Sequence, residues 1–298
     1  MKLRQAIGMF LESTKQTKAK ATLTVYRLML NSMANFYWLD AGLLDRHPEV
    51  ALKPSHITTL YTKIGANEKY MMATIKAHQS ILRIFVSWMT NNNMISFTVG
   101  AKAKLIRIMD HCRPAKIGHA LEPFTEEEYK IIREYCKENE PRFYPVVVLA
   151  WETGLRCVDM LSLTEDNLIR DQCAIRVVPR KTMHSKPNPV TIPIKRSVMK
   201  MLEELAEMNV EGEPILTALF PCNQPFHTEF RRQVLIPCGV YKAFKTMHSF
   251  RRSFISRLHN KGVQVSTICS LTGQSPGTVL QYITVDTDTK LDALGFSR

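Results

Sequence analysis

Apolar residues recur every three or four positions along the first hundred residues, a spacing typical of helices with one buried face. The pattern covers residues 6–11, 22–38, 57–64, 72–88 and 105–109. We therefore predict a small all-helical domain over residues 1–112.

The segment 113–124 interrupts this pattern. It contains two prolines and one glycine and has no periodicity, as expected for a linker. A helix start follows at once, because the Thr125 hydroxyl can cap a helix whose first turn carries Glu126, Glu127 and Glu128. We place a second domain at residues 125–298.

Helical spacing also dominates the second domain. An apolar run over residues 144–151 ends at Thr153 and Gly154, and glycine commonly terminates helices. Two β-branched runs, 174–178 and 190–194, predict a hairpin with a long polar loop. Further helices are predicted at 197–207, 226–234, 249–261, 265–271 and 278–283, with a broken stretch at 214–225. The predicted fold is mainly α with a small β-hairpin or sheet.

Composition agrees with two globular domains. The 298 residues are 45% hydrophobic and 22% charged. No apolar run approaches the roughly 20 residues that span a bilayer, and the N-terminus lacks a signal-type apolar core. We therefore expect a cytoplasmic protein without a membrane partner. The seven cysteines form no C-x-x-C pair, which indicates reduced thiols and no metal site.

The net charge of +13 is concentrated at one end of the chain. Residues 1–121 contain 17 Lys and Arg against 6 Asp and Glu, an excess of 11. Such an excess favours a polyanionic partner, and nucleic acid is the commonest one. A merely solvated basic surface is the alternative. Membrane binding is disfavoured, because the basic residues form no polybasic cluster.

Four side chains suggest chemistry on a phosphodiester. Arg156 follows the Gly154 turn, His248 and Arg251 lie three positions apart on one helix, and Tyr282 comes later. Guanidinium groups form bidentate hydrogen bonds to phosphate oxygens, imidazole transfers protons, and a tyrosine hydroxyl can act as a nucleophile. An H-x-x-R pair alone is usually a surface feature. The ordered set instead predicts an enzyme that breaks and rejoins DNA.

This set resembles the tyrosine recombinases, also called the phage integrase family, over about residues 122–285. The matching motifs are Thr153-Gly154-Leu155-Arg156 with Asp159, Lys181-Thr182, His248-x-x-Arg251, Leu271-Thr272-Gly273-Gln274-Ser275 and Gln281-Tyr282. The resemblance implies a helical DNA core-binding domain followed by a mixed α/β catalytic domain. It also implies a site-specific recombinase that acts in integration, excision or resolution of DNA segments, without a cofactor.

The resemblance also implies a role for each residue. Arg156 and Arg251 would hold the scissile phosphate, and Tyr282 would attack it to form a 3′-phosphotyrosyl intermediate. Lys181 is the expected general acid, with Lys186 as its competitor. His248 would take part in proton transfer or position the phosphate, and Asp159 would orient an arginine or the histidine.

Two positions depart from the family pattern. Gln274 stands where the family usually has His or Trp, and its spacing to Tyr282 is one residue shorter than usual. Glutamine can still donate an amide hydrogen bond but cannot titrate. Arg252 stands where a second histidine is common, and it would either add charge near the phosphate or be solvated.

The implied partners are double-stranded DNA and further copies of the chain, as a tetramer on DNA. Predicted DNA contacts near the linker are Lys102, Lys104, Arg107, Arg113 and Lys116. The tail 283–298 would dock on a neighbouring protomer or pack on its own domain. Two other functions stay open, a type IB topoisomerase and a catalytically silent DNA-binding protein; the Gln274 departure supports the latter.

Overall fold

The computed structural model describes residues 1–112, 122–180, 188–216, 219–220, 226–242 and 245–283. The chain divides into two compact units, Met1–His119 and Ala120–Arg298. Several residues singled out from the sequence lie outside the described residues: Lys181, Lys186, Arg113, Lys116 and the tail from residue 284 onwards.

The first unit is helical in its described part, as predicted. Its helices are α1 (Leu3–Lys15), α2 (Lys20–Met33), α3 (Pro48–Ala51), α4 (Pro54–Ala66), α5 (Met72–Asn91) and α6 (Val99–His111). A wider π-helical turn, Ala34–Trp38, extends α2, so the predicted helix over residues 22–38 is found in two parts.

Aromatic side chains join three helices of the first unit. The Phe10 ring on α1 stacks on Tyr26 of α2 at 5.6 Å between centroids. It also contacts Phe85 and Trp88 of α5 at 5.3 and 5.5 Å. Such pairs contribute about 0.5–1.5 kcal/mol each beyond the burial of their area. The three helices therefore share one apolar core.

A buried polar cluster links α2 to α5. His78, which has no exposed surface, lies 3.0 Å through Nε2 from the Ser32 hydroxyl and 2.9 Å through Nδ1 from the Thr74 carbonyl oxygen. The Tyr70 hydroxyl lies 2.9 Å from that of Ser32. Burial lowers the pKa of His78, so the cluster favours the neutral imidazole.

The second unit is mainly α with one small sheet. Its elements are α7 (Glu126–Asn139), α8 (Tyr144–Thr153), α9 (Cys157–Met160), β1 (Leu168–Ile169), β2 (Ala174–Val177), β3 (Val190–Pro193), α10 (Arg196–Glu207), α11 (Phe226–Phe230) with a π-helical extension (Arg231–Leu235), α12 (Met247–Asn260), α13 (Val265–Thr272) and α14 (Pro276–Tyr282). The predicted cap at Thr125 is confirmed: its hydroxyl accepts from the Glu128 N–H, and Glu128 accepts from the Thr125 N–H.

The sheet contains the predicted hairpin and one strand more. β2 and β3 pair antiparallel, with Ile175 opposite Ile192 and Val177 opposite Val190. β1 pairs with the other edge of β2, with Leu168 opposite Ile175. The pattern of apolar positions missed β1, because two residues are too few to show alternation.

Helix α12 packs on the almost wholly buried helix α8. Several serines of α12 are buried, and Ser253 adds polar contacts to the start of the unit. Its hydroxyl accepts from the Phe124 N–H at 2.7 Å and donates to a carbonyl oxygen, either that of Phe124 or that of Ser249, each at 2.9 Å. Further along, the Arg257 guanidinium lies 3.9 Å from the centre of the Trp151 ring. These contacts fix the helix that carries His248.

Candidate active site

The turn that carries Arg156 is built around Gly154. Gly154 ends α8 with φ 59°, a left-handed conformation that favours glycine. A Cβ atom there would lie 2.5 Å from Cδ1 of Phe254 on α12. The Thr153 hydroxyl donates to the Leu149 carbonyl at 2.7 Å and accepts from the Leu155 N–H at 3.2 Å. Arg156 therefore follows a closely packed turn and is the N-cap residue of α9.

Arg251 joins this turn to a second glycine turn. Its guanidinium donates to the Gly154 carbonyl at 2.9 Å and to the Thr272 carbonyl at 2.6 Å. Thr272 is the last residue of α13, and Gly273 follows with φ 62°. Only 1% of the surface of Arg251 is exposed, so it is not the surface residue that an H-x-x-R pair alone usually indicates. Arg251 thus positions the backbones that lead to Arg156 and Gln274.

The Asp159 carboxylate supports the same region. It is almost fully buried, lies 3.6 Å from the Arg156 guanidinium and accepts from the Arg180 N–H at 2.9 Å. Of the two partners that the sequence left open for Asp159, the contacts join it to the arginine. It therefore ties α9 to the residues that follow β2.

His248 and Tyr282 are in direct contact. His248 lies in the first turn of α12, where the Thr246 hydroxyl accepts from its N–H, and Tyr282 ends α14. The His248 Nε2 is 2.5 Å from the Tyr282 hydroxyl oxygen, and the ring planes meet at 70°. The imidazole of His248 and the hydroxyl of Tyr282 are thus already hydrogen-bonded.

The surroundings of His248 are positively charged. Burial, followed by Arg251, Arg156 and Arg252, lowers the pKa of His248 from its usual 6.5 to about 4. Burial and Arg156 lower the pKa of Arg251 to about 9, so this arginine stays charged at neutral pH. The imidazole is therefore neutral beside a cluster of cations, a field that attracts an anion.

Gln274 follows Gly273, and its side chain is half-buried. Its Oε1 atom is buried and has no hydrogen-bond partner within the described part of the chain. A Cβ atom on Gly273 would lie 2.9 Å from Cγ2 of Val190, the first residue of β3. The turn that carries Gln274 is therefore packed against the sheet.

Arg252 has contacts that neither sequence alternative foresaw. Its guanidinium carbon lies 5.1 Å from the centre of the Tyr282 ring, and Nη2 donates to the Gln281 carbonyl at 3.1 Å. The Ser256 hydroxyl donates to the Tyr282 carbonyl at 3.1 Å. A signal existed in the sequence, because His248, Arg252 and Ser256 recur at intervals of four and share one helix face.

The predicted DNA-contact residues that are described lie on α6. Lys104 and Arg107 are exposed and line a groove of about 940 Å³ between α4 and α6, whereas Lys102 is half-buried.

Among the residues described, no group of three or more His, Cys, Asp or Glu could hold a metal ion. None of the helices in these ranges is both long and apolar enough to cross a membrane.

Comparison with known proteins defines the class. The chain matches the model of the phage integrase family over residues 122–288, more than half of its length. It belongs to the phage integrase family, which confirms the resemblance drawn from its motifs.

Individual relatives are more distant. The chain is similar to the protein "Tyrosine recombinase XerC-like" of Caldanaerobacter subterraneus subsp. tengcongensis, with 24% identity over 259 residues, 75% of this chain and 64% of that protein. It is also similar to the Tn1549 transposon integrase in complex with transposon right end DNA, with a TM-score of 0.75, 15% identity and 99% coverage of both chains. A lambda integrase tetramer bound to a Holliday junction has a TM-score of 0.68 at 17% identity, covering 95% of this chain and 78% of that one. These structural likenesses establish the fold.

Proposed function

We propose that this chain is a site-specific DNA recombinase that cleaves and rejoins DNA through a 3′-phosphotyrosyl intermediate. The observation that carries this proposal is the hydrogen bond between His248 and Tyr282 beside Arg156 and Arg251. A neutral base in contact with a hydroxyl, next to two guanidinium groups, suits nucleophilic attack on a phosphate.

Arg251 has donors left for that phosphate. A guanidinium carries five N–H groups. Two of them donate to the Gly154 and Thr272 carbonyls, and the buried Nε has no partner in the described ranges. A buried donor without a partner costs about 1–3 kcal/mol, which an anion would recover. Arg156, whose side chain is 21% exposed, would be the second arginine to form bidentate hydrogen bonds to the phosphate.

The proposed reaction needs two proton transfers. The Tyr282 oxygen forms a bond to phosphorus as its proton passes to Nε2 of His248, and the bond from phosphorus to the 5′ oxygen breaks. Lys181 would protonate the leaving 5′ oxygen, and Gln274 would donate an amide N–H to a phosphate oxygen. Asp159 would hold Arg156 in place. Rejoining reverses these steps, so no external energy source is needed.

The two units would divide the work. We assign DNA core binding to residues 1–112, a linker to 113–124 and catalysis to 125–298. The excess of basic residues in the first part supports duplex binding through Lys102, Lys104, Arg107, Arg113 and Lys116. The fold shared with integrases bound to DNA, including a tetramer on a Holliday junction, supports a tetramer on DNA in the nucleoid.

The first test is the covalent adduct. Wild type and Tyr282→Phe are incubated with nicked duplexes that carry candidate recombination sites, without divalent metal, and analysed on a denaturing gel. We expect a protein–DNA adduct from wild type alone. A silent DNA-binding protein would bind these duplexes and give no adduct, which would overturn the proposal.

A second assay separates the topoisomerase alternative. A type IB topoisomerase relaxes supercoiled DNA as a monomer without paired sites, whereas a recombinase requires two sites. We expect strand exchange between paired sites. Relaxation of site-free plasmid at the same rate as adduct formation would instead favour the topoisomerase.

A further inference from the structure

One face of α12 contacts Tyr282 at three separate points. His248, Arg252 and Ser256 are four residues apart, so their side chains follow one another along the helix. His248 contacts the hydroxyl of Tyr282. Arg252 contacts the ring of Tyr282 and the backbone carbonyl of Gln281, and Ser256 contacts the backbone carbonyl of Tyr282. Only the first of these contacts belongs to the chemistry described above.

The end of α14 needs such contacts. The helix has seven residues, and isolated helices of that length are not stable in water. The last carbonyls of any helix also lack donors from within it. Gln281 and Tyr282 hold two of these carbonyls, which accept from Arg252 and Ser256. A cation at this point also opposes the negative end of the helix dipole.

Apolar packing fixes this end only in part. Val279 is fully buried one turn earlier and Tyr282 packs against its cluster, but Leu280 is 59% exposed and Tyr282 is only half-buried. Polar and cation–π contacts therefore add to apolar packing in setting the direction of the Tyr282 side chain. Arg252 supplies two of them with one planar group.

We propose that Arg252 is a positioning residue that docks Tyr282 on its own catalytic unit, with its hydroxyl against His248. This inference rests on the proposed function of Tyr282 as the nucleophile. Arg252 acts through the tyrosine ring and the end of α14, and in this role it does not contact DNA.

The test labels the nucleophile directly. 3-Fluorotyrosine is incorporated at position 282 of the full chain, and the fluorine resonance is recorded without DNA for wild type, Arg252→Gln and Arg252→Lys. We expect the Gln variant to move the resonance towards that of a solvent-exposed fluorotyrosine, because the cation leaves the ring. The Lys variant keeps a cation over the ring, and its resonance should stay nearer to that of wild type.

The same variants, without the label, are assayed for adduct formation and DNA affinity. We expect Arg252→Gln to form the adduct about tenfold more slowly, the rate equivalent of one cation–π contact, with unchanged affinity. Arg252→Lys should recover most of the rate. Arg170→Gln is the matched control, because this substitution removes the same charge elsewhere in the unit. Arg170 forms ion pairs with Glu165 and Glu203.

The fluorine resonance decides the inference. An unchanged fluorine resonance in Arg252→Gln would exclude docking, whatever happens to the rate. A loss of DNA affinity larger than that of Arg170→Gln, with the resonance unchanged, would make Arg252 a phosphate contact. Since the resonance is read without DNA, a wild type that forms no adduct refutes the proposed function separately.

Discussion

The His248 imidazole lies among arginines and stays uncharged, because burial and then these positive charges lower its pKa. Its pKa of about 4 means that the imidazole stays unprotonated throughout the neutral range. In most proteins histidine titrates near neutrality, where its protonated form would be unable to act as a base. A scissile phosphate would bring negative charge to the same arginines and raise the proton affinity of His248 when the reaction begins.

Gln274 gives the first prediction at this scale. Gln274→Leu keeps a side chain of similar size but removes the amide. We expect adduct formation to slow by roughly ten- to a hundredfold, because a hydrogen bond to a charged group contributes about 1.5–3 kcal/mol. Gln274→His, which restores the usual family residue, should react at least as fast as wild type.

Gln264→Leu is the control for that experiment. Gln264 is exposed at the start of α13 and makes no side-chain cap, so its loss should leave the rate unchanged. The rates are measured in single turnover on nicked DNA. Equal rates of adduct formation for Gln274→Leu and wild type would show that the Gln274 amide does not contribute to the reaction.

At the scale of elements, two helix ends set the site. α8 and α13 both end in a left-handed glycine, and the carbonyls of Gly154 and Thr272 accept from the same guanidinium. A helix end leaves its last carbonyls without donors from within the helix. Arg251 satisfies one carbonyl at each end, which brings the two turns together.

Gly154→Ala tests this arrangement. An alanine in left-handed backbone costs about 1–3 kcal/mol, and its Cβ would also meet the Phe254 side chain. We expect a lower midpoint of urea unfolding and a loss of adduct formation, because Arg156 would be displaced. Gly277→Ala is the control, since Gly277 is helical and has open space around its Cα. Equal stability of the two variants would contradict the account.

The buried cluster around His78 predicts how α2 and α5 respond to pH. Burial lowers the pKa of His78 in the folded state below its unfolded value of about 6.5. Stability is therefore full above that value and falls as the pH drops below it, because the unfolded chain binds the proton more tightly. His78→Gln does not titrate, and its urea midpoint should fall less than that of wild type between pH 7 and pH 5. An equal fall in both proteins would contradict this role.

At the scale of the whole molecule, the site lies within one unit of one chain. The unit Ala120–Arg298 contains Arg156, His248, Arg251 and Tyr282, and the contact between His248 and Tyr282 is made within it. We therefore predict that each copy cleaves DNA with its own tyrosine.

Mixing two inactive variants tests cleavage within one copy. Tyr282→Phe lacks the nucleophile and Arg156→Gln lacks a phosphate ligand. We expect no adduct from either variant or from their mixture, whereas wild type mixed with Tyr282→Phe should still react. An adduct on the Arg156→Gln protein in the mixture would instead mean that the tyrosine acts in a neighbouring copy's site.

The sequence alone was enough to predict the secondary structure and the family of this protein. The longer helices, the β2–β3 hairpin and the Thr125 cap follow from local rules, because apolar periodicity and capping act over a few residues. The family was also predictable, since its motifs are short and ordered along the chain. These features depend on neighbours in sequence, so they can be read without the fold.

Tertiary structure decided which side chains meet. The partners of Arg251 lie 97 and 21 residues away, and the carbonyl that Arg252 contacts lies 29 residues away. Burial of Arg251 and docking of Tyr282 therefore depend on how α8, α12, α13 and α14 pack. The depressed pKa of His248 has the same origin, because desolvation and neighbouring charge are properties of the assembled site rather than of any local pattern.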